Sequence, residues 1–65
     1  RLDLSDISDA QRPIIEALSD EDKGFEELLD ATGFDAAKLS REITMLELEG
    51  RVEALAGRLY RLSRS

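Results

Sequence analysis

Apolar positions in this chain fall into three helix-like runs followed by one alternating run. Ala10, Ile14, Ile15 and Leu18 recur at helical intervals behind Ser8 and Gln11, which have the S-x-x-Q spacing of a capping box. The pattern predicts a first helix over about residues 9–19. Pro13 sits late for a first-turn proline and removes one backbone hydrogen bond, so the regular helix can instead begin near residue 12. Phe25, Leu28, Leu29 and Ala31 mark a short second helix closed by Gly33 as a left-handed cap, and the SDEDKG stretch between the two reads as a polar turn. Upstream, Leu2, Leu4 and Ile7 stand among aspartates and serines. Residues 1–8 therefore read as a linker or an N-terminal arm, and residues 9–65 as the domain.

Asp35 is placed to cap a third helix that runs to Glu49, with Gly50 as its stop. At 100° per residue, Ala36, Leu39, Ile43 and Leu46 share the stripe expected to face the core. Lys38, Arg41, Thr44, Met45 and Leu48 fall outside it. The remaining stretch, RVEALAGRLYRL, reads as a hairpin whose register follows from parity. A two-residue Ala56-Gly57 loop sets a charge beside an apolar residue on both faces. A three-residue Ala56-Gly57-Arg58 loop pairs Val52 with Leu62 and Ala54 with Tyr60 on a core face. It also pairs Glu53 with Arg61 and Leu55 with Leu59 on the outer one. The second register separates apolar from charged and is the one expected.

Three helices, the last two joined by a tight turn, then a hairpin make a small α+β domain with the layout of a winged helix-turn-helix. The third helix is its recognition element and residues 51–62 its β-hairpin wing. A chain of 65 residues has room for one core and no deep pocket. It has no cysteine and no histidine, hence no disulfide, no thiolate or imidazole metal ligand, and no histidine general base. Acid pairs exist, but without a pocket nothing sets two carboxylates apart, so no enzyme, no catalytic residue, no metal site and no cofactor is expected. Asp20, Glu21 and Asp22 lack the alternating spacing of a calcium loop and read as a solvated turn.

No apolar run approaches the ~20 residues that span a bilayer, and RLDLSDISD has no signal-like block, so no membrane association and a cytoplasmic setting are expected. A start on a residue other than methionine suggests an excised fragment. The net charge of −6 repels nucleic acid at long range, yet it is unevenly distributed. Residues 1–34 carry three basic and ten acidic groups, whereas residues 35–65 carry six basic and five acidic. Affinity for phosphate, if present, belongs to the C-terminal half.

At the level of residues the chain resembles the C-terminal winged-helix domain of the DNA-processing protein family DprA, also called Smf. The resemblance lies in IIEAL (14–18), FEELLDATG (25–33), LSREITMLELEGRV (39–52) and ALAGRLYRL (54–62). The Leu-x-x-x-Gly-x-Val frame alone is shared by many winged helices. Regulators of that class often carry basic residues between that leucine and glycine, where this sequence has Glu47, Leu48 and Glu49. That departure favours the DprA-like reading over the alternative, a stand-alone or fused DNA-binding domain of a transcription regulator. The resemblance implies a longer protein with a Rossmann-type domain that binds single-stranded DNA. Such a protein protects incoming DNA in natural transformation and hands it to a RecA-type recombinase. Its partners would be DNA and the recombinase, both met through the full-length protein.

Two sets of surface residues compete for the domain's own role. Lys38 and Arg41 on the third helix, with Arg51, Arg58, Arg61 and Arg64 on the wing and tail, are the nucleic-acid-binding candidates, enough for weak, salt-dependent binding. Arg61 can instead pair with Glu53 across the hairpin, whereas Arg58 at the tip has no evident acidic partner. Leu48, Leu55 and Leu59 are the protein-contact candidates, serving self-association, packing on a preceding domain or another partner. The alternative for Leu48 is that it tucks under the wing. The reading that results is an accessory domain whose contacts are mainly with protein and at most weakly with nucleic acid.

Overall fold

The computed structural model describes residues 8–63, so the expected arm at Leu2, Leu4 and Ile7 and the tail candidate Arg64 lie outside the described residues. The elements run α1 (Arg12–Asp20), β1 (Lys23–Gly24), α2 (Phe25–Thr32), α3 (Ala36–Leu48), β2 (Val52–Leu55) and β3 (Leu59–Leu62). The three strands form an antiparallel sheet in the order β1-β3-β2. This is a winged helix, with β2 and β3 as the wing.

The regular first helix starts at residue 12, where a proline in its first turn has no intrahelical bond to lose. Ser8 and Gln11 still exchange reciprocal bonds: the Gln11 backbone N–H donates to Ser8 Oγ at 3.3 Å, and the Ser8 N–H donates to Gln11 Oε1 at 3.4 Å. These bonds tie down the turn that leads into α1. They also give an in-chain partner to the side-chain carbonyl of Gln11, a buried residue.

Gly33 ends α2 in the left-handed region at φ 76°, its N–H donating to the Leu29 carbonyl at 2.8 Å. Thr32 relays the turn onward: its hydroxyl donates to the Leu28 carbonyl at 2.7 Å and accepts from the Phe34 N–H at 3.2 Å. The Asp35 carboxylate then accepts the Lys38 N–H at 2.7 Å and caps α3. At the other end of α3, Gly50 takes φ 76°, the Arg51 N–H donates to the Leu46 carbonyl and the Gly50 N–H to that of Glu47. This six-to-one and five-to-two pattern closes the helix and turns the chain straight into β2.

The core is formed by Ile14, Ile15 and Leu18 of α1, Leu28 of α2, Leu39, Ile43 and Leu46 of α3, and Val52 of β2. Phe25, Leu29, Phe34, Tyr60 and Leu62 pack at its margin. Each fully buried aliphatic side chain contributes about 1.5–3 kcal/mol by leaving water. Helix packing and wing attachment thus depend on one shared cluster.

Three expectations need correction. The SDEDKG stretch is not turn throughout, because Lys23 and Gly24 pair with Tyr60 and Leu59 of β3 as a third strand. Two residues are too short for an alternating pattern, and the strand exists only because β3 offers it an edge. Ala36 is exposed, since the first turn of α3 overhangs the core that Leu39 enters. Ala54, expected on the core face, is exposed as well. Ala54 lies past Val52 on the edge strand β2, while its cross-strand partner Tyr60 on the central strand β3 stays half-buried at the core margin.

Candidate interaction surface

The hairpin register sets the surface. Val52 pairs with Leu62, Glu53 with Arg61, Ala54 with Tyr60 and Leu55 with Leu59, as the three-residue loop requires. Glu53 and Arg61 share the outer face, where Arg61 Nε donates to Glu53 Oε1 at 2.9 Å and Nη2 lies 2.9 Å from the same oxygen. Arg51 Nε lies 3.3 Å from Glu49 Oε1. Two of the wing arginines are therefore engaged by carboxylates of their own domain.

Arg58 differs from both. It stands exposed at the hairpin tip with φ 63°, directly after Gly57 at φ 82°, and has no ion-pair partner among the described residues. A non-glycine residue in the left-handed region costs roughly 1–2 kcal/mol. Because β1 brings the start of α2 beside the tip, Arg58 shares an open cleft of about 520 Å³ with Phe25, Glu26, Glu27 and Tyr60. Glu27 is committed locally, its Oε1 accepting the Gly24 N–H at 2.8 Å. Sequence reasoning missed this cleft because it missed β1.

On α3, Lys38 is half-buried and its ammonium sits 4.5 Å above the centre of the Phe34 ring, a cation–π contact. Arg41 is exposed and has no ion-pair partner among the described residues. Around it on the outward face stand Ala37, Ser40, Thr44, Met45 and Leu48, all exposed. The Thr44 hydroxyl donates to the Ser40 carbonyl at 2.9 Å, which directs its hydrogen-bonding capacity into the helix. A recognition helix reads bases with side-chain donors and acceptors, and this face offers the Arg41 guanidinium and the Ser40 hydroxyl, with the Thr44 oxygen left as an acceptor.

Of the expected contact leucines, Leu48, 78 % exposed, closes α3, and Leu59 (37 % exposed) and the half-buried Leu55 are cross-strand partners beside the hairpin loop. Met45, 45 % exposed, stands on the same outward side of α3 as Leu48. The sequence had already placed Met45 off the core stripe, but not among the contact candidates. Among the described residues no three His, Cys, Asp or Glu side chains converge on a metal-sized site, and no helix is long and apolar enough to cross a membrane.

The class of protein is thus a winged helix whose third helix exposes Met45 and Leu48 beside Arg41. The sequence model of the family described as the DprA winged helix domain matches residues 3–58. The chain belongs to that family, a non-catalytic domain of DNA-processing proteins. No curated protein and no solved structure gives a significant match.

Proposed function

We propose that this chain is the accessory winged-helix domain of a DprA/Smf-like protein that protects single-stranded DNA and loads a RecA-type recombinase. Within it, the domain acts mainly through contact with protein and binds nucleic acid weakly if at all. The observation that carries this reading is the outward face of α3, where Ala37, Ser40, Thr44, Met45 and Leu48 stand exposed around Arg41 and the neighbouring Lys38 is half-buried over the Phe34 ring. Glu47 and Glu49 at the end of the same helix oppose a phosphate backbone. The engagement of Arg61 by Glu53, and of Arg51 by Glu49, supports it further.

A mobility-shift assay of the isolated chain with single- and double-stranded oligonucleotides at low salt tests the reading. Weak or undetectable shifts are expected. Tight binding to either form that is lost on Arg41→Ala would contradict it.

A further inference from the structure

We draw no further inference here: the strongest candidate, the open cleft between the hairpin tip and the start of α2, sets the Arg58 guanidinium beside Phe25 and Tyr60 but against the Glu26 and Glu27 carboxylates, and nothing in the structure shows what covers it.

Discussion

Arg61 and Glu53 face each other across the wing as strand partners, with Nε and Nη2 of the arginine both 2.9 Å from one carboxylate oxygen. Both side chains are about half exposed, so the pair adds only about 0.2–1 kcal/mol, but it occupies the guanidinium that a phosphate would need. Glu53→Ala is expected to lower stability by no more than ~1 kcal/mol in urea unfolding. If oligonucleotide binding is measurable, the same change should strengthen it by freeing Arg61. No change in either quantity would mean that the pair is dispensable.

Arg58 separates charge from backbone strain. Arg58→Ala keeps a side chain in the left-handed region and removes only the cation, so stability should hold within about 0.5 kcal/mol while any residual phosphate affinity falls. Arg58→Gly also relieves the strain at φ 63° and should raise the unfolding midpoint relative to Arg58→Ala, by up to ~1 kcal/mol in free energy. Thermal unfolding of the two variants side by side distinguishes the effects.

The core allows little loss. Leu28 and Leu39 are fully buried in the cluster that joins the three helices to the wing. Either residue changed to alanine should cost about 2–5 kcal/mol, comparable with the whole stability of a domain this small. Far-ultraviolet circular dichroism at 25 °C should show a largely unfolded population, where a cooperative native-like transition would contradict the packing described.

The turn between α2 and α3 makes two smaller, separable contributions. Gly33→Ala meets no atom within 4 Å of its new Cβ, so its cost of about 1–2 kcal/mol is conformational alone. Asp35→Ala removes the cap on the Lys38 N–H and should cost about 0.5–2 kcal/mol. Since both act on one turn, the double variant tests whether the two effects add, and chemical denaturation provides the measurement.

Much of this architecture was legible before any coordinates, because local chemistry and tertiary packing agree at the positions that decide it. Gly33, Asp35 and Gly50 are the glycines and cap that their backbone geometry demands, and parity alone selected the hairpin register. What escaped was non-local. The strand at Lys23–Gly24 depends on the edge of β3, more than thirty residues away, and carries no periodic signal of its own. Burial at Ala36 and Ala54 was misjudged for a related reason: a shared face does not reveal where the opposing layer ends. On the surface, the candidate cations could be named from sequence, but which of them a neighbouring carboxylate had already engaged could not.

Whether the outward face of α3 reads nucleic acid is tested residue by residue by amide chemical-shift mapping with an oligonucleotide at low salt. Small, salt-sensitive shifts confined to the wing tip around Arg58 are expected, with Ala37, Arg41, Thr44 and Leu48 unmoved. Saturable shifts running along those four α3 positions, with the steep salt dependence of several phosphate contacts, would contradict it.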